Sequence, residues 1–162
     1  MFLFEMPMAF GQGSEQCVAY DDVEELFKCG SKGYPINYGG KYCKKFSENR
    51  HRFSDEGKKW LDATLECLVQ EIVLIQDSLR SQMNPNNRKT VCKRLKHLAF
   101  DSHIPCYLES GYCDLSRKDK RIVTNIVFPS IFRIRVIQAG LKVQAECRRV
   151  KREERRREKE QR

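Results

Sequence analysis

No two cysteines of the chain stand two to four residues apart, no eighteen consecutive residues are apolar, and no useful length alternates apolar with polar. The first absence argues against a structural zinc site, whose ligands usually come in close pairs so that one turn presents both thiolates. The second excludes a membrane-spanning helix. The third argues against a sheet and leaves an all-α class. Asn37, Asn49, Asn84, Asn86, Asn87 and Asn125 all lack Ser or Thr two residues on, so no N-glycosylation sequon is present. The C-C-x-x-H-D signature of secreted phospholipases is missing too. Histidine is scarce. His51, His97 and His103 do not fall at i and i+4 on one helix face, and they read as surface or capping residues rather than metal ligands.

What the chain has instead is cysteine and positive charge. Its 162 residues suit one domain with an appended tail. The formal charge is +9, and Arg148 to Arg162 holds nine Lys/Arg against four Asp/Glu, a net +5. Such a tail can touch polyanions, while its plain reading is a solvated charged helix. Eight cysteines, Cys17, Cys29, Cys43, Cys67, Cys92, Cys106, Cys113 and Cys147, make an even set. A cysteine protease would use one thiolate and leave seven thiols unexplained. Disulfides are the simplest account, and they imply an oxidising compartment. The start, "MFLFEMPMAF", fits a secretory leader only in part: it is apolar, but Glu5 interrupts it and no Lys or Arg precedes it.

Helical signals run along most of the chain. Ser54 is an N-cap candidate, with Asp55 and Glu56 favoured at the positive end of a helix dipole. Leu61, Leu65, Leu68, Ile72, Ile75 and Leu79 then step by four and three, one stripe on a long helix that Trp60, Val69 and Val73 widen. "MNPNN" should end it near Met83. A second helix is expected over Arg88 to Phe100, and "DSHIPCYLESGYC" reads as a loop or short turn. Ser116 caps a third over "RKDKRIVTNIV", and Pro129 breaks it. A fourth, from Ser130, carries Ile131, Ile134, Ile137, Leu141 and Cys147 and runs toward the charged tail, which is either frayed helix or disorder. In front, "DDVEELFKC" is a short amphipathic turn or helix. The turn-rich "GSKGYPINYGG" leads to a helix starting near Lys41, from which Tyr42, Phe46 and Phe53 reach the core.

Two tempting sites have plainer readings. "FDSHIPCY" contains Asp, Ser, His and Cys, yet adjacency in sequence is not a catalytic triad. Asp21, Asp22, Glu24 and Glu25 are not interleaved as in a calcium loop and read as an exposed acidic turn. No catalytic, cofactor or metal residue is assigned.

One constellation carries a resemblance. Cys43, Phe46, Phe53, Gly57, Trp60 and Cys67 spell C-x2-F-x6-F-x3-G-x2-W-x6-C. Cys92, Cys106, Tyr107 and Cys113 follow as C-x13-C-Y-x5-C. Both patterns resemble those of the stanniocalcins, secreted helical glycoprotein hormones, and the likeness spans Cys17 to Cys147. The Cys29–Cys43 and Cys67–Cys92 intervals are longer here. The family's core has ten half-cystines; the two without a counterpart bond to each other, so no thiol is left odd. The resemblance implies four bonds: Cys17–Cys43, Cys29–Cys92, Cys67–Cys106 and Cys113–Cys147. Loops of this length contribute on the order of 3–4 kcal/mol each by constraining the unfolded chain.

The resemblance therefore implies a secreted, non-enzymatic protein that binds a receptor or a secreted protease, in a family linked to calcium and phosphate homeostasis and, in vertebrates, to pappalysin inhibition. Expected regions are a poorly defined stretch over 1–16 with its partial leader, a helical disulfide domain over 17–147 and a basic tail over 148–162. Vertebrate members dimerise through a cysteine beyond the core. No cysteine follows Cys147, so a covalent dimer of that type is not available here, while a noncovalent one is. Two other classes stay open: an intracellular basic protein with reduced thiols whose tail binds nucleic acid, and a small secreted enzyme.

Overall fold

The computed structural model describes residues 14–130 and 134–161. The leader-like start and Ile131 lie outside the described residues. Within them the chain is all helix: α1 (Val18–Phe27), α2 (Lys41–Glu48), α3 (Asp55–Arg80), α4 (Arg88–Glu109), α5 (Arg117–Val127) and α6 (Ile134–Glu160). No strand occurs among the described residues.

The long third helix begins as its sequence dictates. Ser54 Oγ accepts from the backbone N–H of Gly57 at 3.1 Å, relieving one of the orphan donors of the first turn. The stripe from Leu61 to Leu79 is buried throughout and forms the spine of the core. Val73 instead faces outward, because it falls on the rim of that stripe. The helix stops at Arg80, a turn earlier than Met83. Beyond it Asn84 Oδ1 accepts from the N–H groups of Asn86 and Asn87, and Asn87 Oδ1 accepts from that of Asn84. These side-chain bonds hold the reversal that Pro85 begins.

α4 packs along α3 and differs most from its sequence reading. It does not end at Phe100; it runs through Pro105 to Glu109. Proline removes an N–H and crowds the carbonyl four residues back. Here Pro105 and Asp101 both lie on the exposed side of the helix. On the opposite side Cys106 is bonded to Cys67 of α3, and Tyr107 O accepts from Trp60 Nε1 at 3.3 Å. Tertiary anchoring of the last turns outweighs the local penalty.

In front, "GSKGYPINYGG" is also more regular than a run of turns. Pro35–Gly40 forms a π-helical turn that runs into α2. It brings Tyr34 and Tyr38 against Phe100, with ring centroids 5.3 and 4.6 Å apart. Gly39 is required because a Cβ there would collide with the Tyr20 ring. Tyr42, Phe46, Phe53 and Trp60 are all buried.

Candidate interaction surface

Four disulfides tie the helices: Cys17–Cys43, Cys29–Cys92, Cys67–Cys106 and Cys113–Cys147, with Cα separations from 5.2 to 5.8 Å. These are the pairs that the resemblance implies, and no described cysteine is free. They join α2 to the turn before α1, the end of α1 to α4, α3 to α4, and α6 to the turn between α4 and α5.

A second clasp is polar, and periodicity gave no sign of it. Asp119 has no exposed surface. Its carboxylate accepts from Ser54 N–H at 2.9 Å, Ser54 Oγ at 2.6 Å and Ser116 Oγ at 2.6 Å. Ser116 Oγ in turn accepts from Asp119 N–H at 3.0 Å, capping α5. One carboxylate thus fastens the start of α3 to the start of α5. Burial pushes its acid form up, but the bonds from Ser116 and Ser54 hold its pKa below the usual aspartate value. The motif glycine belongs to this clasp. A Cβ on Gly57 would lie 2.6 Å from Asp119 Oδ1, so any side chain there breaks it.

The residues of "FDSHIPCY" are placed apart in chemistry. Asp101 is exposed, and Cys106 is bonded to Cys67. Ser102 Oγ donates to Ala99 O, and His103 Nδ1 lies 2.7 Å from the same carbonyl. Burial lowers the His103 pKa, so the ring is neutral and Nδ1 is the donor. A serine spent on a backbone carbonyl and a cysteine in a disulfide leave no nucleophile for the histidine to activate. His51 lies 3.1 Å from Glu48 O at the end of α2. Of the acidic residues on α1, Asp21 pairs with Lys44 at 3.5 Å and Glu24 Oε1 accepts from Gly30 N–H at 2.6 Å. Among the described residues no group of three His, Cys, Asp or Glu could hold a metal, and no helix is long and apolar enough to cross a membrane.

Leu74 of α3 and Val18 of α1 are exposed but form no row, and among the described residues the longest row of exposed apolar side chains lies on α6. Its disulfide sets its rotation: with Cys147 turned inward, Val143, Gly140 and Val136 follow at helical spacing on the same face. The row Ile134, Ile137 and Leu141 is thereby turned out, with Ile134 70% and Leu141 62% exposed. Phe128, in the turn before α6, is also exposed.

Along the inner row runs a cavity of about 310 Å³, open to solvent on one side, where Ile137 and Leu141 border it; Phe100 and Tyr107 of α4, Val123 of α5 and Val143 of α6 line it, with Thr124 and Gln144 as polar members. Gly140 stands on this wall, and a Cβ added there would meet nothing within 4 Å. Gly140 is itself exposed and leaves the inner row without a side chain at that step.

Positive charge gathers at the Cys113–Cys147 end. Lys120 Nζ donates to Cys113 O at 2.7 Å and stands 5.6 Å from the centroid of the Tyr112 ring, itself a cavity wall. Burial lowers its pKa and Lys151 lowers it further, with Asp114 opposing. From there α6 continues unbroken into the tail, whose residues 151–161 are all exposed. Arg149 bridges Glu146 and Glu153 on successive turns, at 2.9 Å each.

The sequence model of the stanniocalcin family matches residues 17–160. No curated protein and no solved structure matches the chain.

Proposed function

The chain belongs to the stanniocalcin family, a family of secreted hormones, and from that premise we propose that it is a secreted regulatory protein acting by binding another protein. The observation that carries the reading is the outer row of α6, Ile134, Ile137 and Leu141. Large apolar residues repeated along one face of an exposed helix, beside a fold whose other long apolar stripe is buried, mark a binding surface. The partner is a receptor or a secreted protease, and the family's links to calcium and phosphate handling define the physiology to examine first. The basic tail adds a polyanion contact of the heparin type that weakens steeply with salt.

The test compares the disulfide-intact chain with a Phe128→Asp, Ile134→Asp variant, both immobilised in conditioned medium. Neither residue is among those walling the cavity. One partner that saturates at micromolar concentration or below, and is bound at least about tenfold more weakly by the variant, is expected for an apolar anchor. No saturable partner, or equal binding by the variant, contradicts the reading. A thiol count separates the other classes: zero free thiols accord with secretion, and eight with a reduced intracellular protein.

A further inference from the structure

We propose that the peptide bond between Arg152 and Glu153 is a processing site, cut by a serine endoprotease of the secretory pathway whose cleft carries acidic subsites for basic residues. Chain and enzyme meet only in that pathway, so the processing rests on the secreted reading. The susceptibility of the bond itself is tested without it.

The sequence singles out this bond. Arg149-Val150-Lys151-Arg152 places arginine, lysine and arginine at the fourth, second and first positions before it. No other arginine of the chain has a basic residue directly before it and an arginine three before it. A carboxylate-lined cleft reads such a triplet through charge-assisted hydrogen bonds, which the arginine fork makes in pairs.

The structure leaves the segment free to open. A protease takes its substrate as an extended strand, so this part of α6 must unwind first. Cys147 is buried and tied to Cys113, and residues 148–161 beyond it are all exposed. Past that anchor the ion pairs lie within the helix itself: Arg149 with Glu146 and Glu153, and Arg156 with Glu160. A short helical end without tertiary packing is marginal in water and frays.

A similar run elsewhere is closed. Lys118-Asp119-Lys120-Arg121 also ends in Lys-Arg, with a lysine in place of the leading arginine. Asp119 has no exposed surface and is bonded to Ser54 and Ser116, and Lys120 Nζ donates to Cys113 O at 2.7 Å. Ile122 and Val123, which follow, are buried. Drawing this run into a cleft means detaching α5 from α3.

In the cut, water adds across the bond: its hydroxyl goes to the carbonyl carbon of Arg152, leaving a carboxylate, and a proton goes to the nitrogen of Glu153, leaving an amine. Cys113–Cys147 lies wholly before the bond. The chain from Glu153 onward is therefore released while the disulfide-closed fold stays whole.

The full chain, disulfides intact, is incubated with a purified calcium-dependent, subtilisin-type proprotein convertase, and the products are read by intact mass. A first cut after Arg152 is expected, with the Arg121–Ile122 bond left whole. Arg149→Ala decides between recognition and mere exposure. It removes the leading arginine and also the partner of Glu146 and Glu153. Exposure alone would make the loosened helix a faster substrate, whereas recognition requires a cut at least about tenfold slower. Arg156→Ala also loosens the helix but lies outside the triplet, and it should be cut after Arg152 no more slowly than the parent chain. Protein recovered from the medium of secreting cells should end at Arg152, and the Arg149→Ala protein should keep its tail. No cut after Arg152, an earlier cut after Arg121, equal or faster cleavage of Arg149→Ala, or secreted protein that still carries Glu153 would each overturn the proposal. Retention of the chain in the cell would contradict the secreted reading, while the purified enzyme still decides the bond.

Discussion

The two longest helices, α3 with 26 residues and α6 with 27, meet opposite fates. Both carry large aliphatic residues at helical spacing, and both hold one half-cystine. α3 lies in the middle of the fold, with α1 and α4 packed against it, and every residue of its main stripe is buried. α6 lies on the outside, fixed by Cys113–Cys147, with a thin inner row over a cavity and a fuller apolar row facing solvent. The same pattern means core in one place and unpartnered surface in the other. What decides is the number of neighbouring elements that can reach the helix, which no local window contains.

The largest effect should come from uncoupling α3. Replacing Cys67 and Cys106 together by alanine should lower stability by roughly 3–4 kcal/mol in denaturant unfolding, since the bond closes a 39-residue separation. If the loss is below about 1 kcal/mol, α3 does not depend on that tie. Truncation comes next. Leu61→Ala, at a site 1% exposed, should cost about 2–5 kcal/mol, while Leu141→Ala on the outer row of α6 should stay within about 0.5 kcal/mol. Similar costs at the two sites would erase the contrast between the helices.

The polar clasp should come third. Asp119→Ala strands a backbone N–H and two hydroxyls and should cost about 2–3 kcal/mol. The folded pKa of Asp119 is depressed, so its contribution is complete above about pH 4 and fades as pH falls through the lower folded value. The Asp119→Ala chain should lack that part of the acid loss. The smallest effect concerns His103. Its folded pKa is also lowered, so below about pH 6.5 the unfolded chain takes up a proton that the folded one does not. Stability should therefore fall from pH 7 toward the folded value, and His103→Gln should flatten that segment of the profile. A profile unchanged by the substitution would mean that the ring is not held neutral.

How far each feature was legible follows from how local its cause is. Ser54 and Ser116 announce α3 and α5 because a cap acts within three residues. The stripe on α3 is read directly from steps of three and four. The Asp119 clasp was not legible, since Ser54 and Asp119 are 65 residues apart and only the fold brings them together. Pro105 hid the last turns of α4, where anchoring by Cys106 and Trp60 overrides a local breaker. The outward turn of Ile134, Ile137 and Leu141 depends on Cys147 meeting Cys113. The bond came from family likeness; periodicity does not give it, so neither the outer row nor the cavity beside it could be seen beforehand.

The most direct test of a covalently closed extracellular scaffold is non-reducing peptide mapping of the protein recovered from the medium of secreting cells. The expected map contains four linked pairs, Cys17–Cys43, Cys29–Cys92, Cys67–Cys106 and Cys113–Cys147, and no free thiol. Unlinked Cys67 and Cys106 peptides, or a chain retained in the cell with eight alkylatable cysteines, would contradict it.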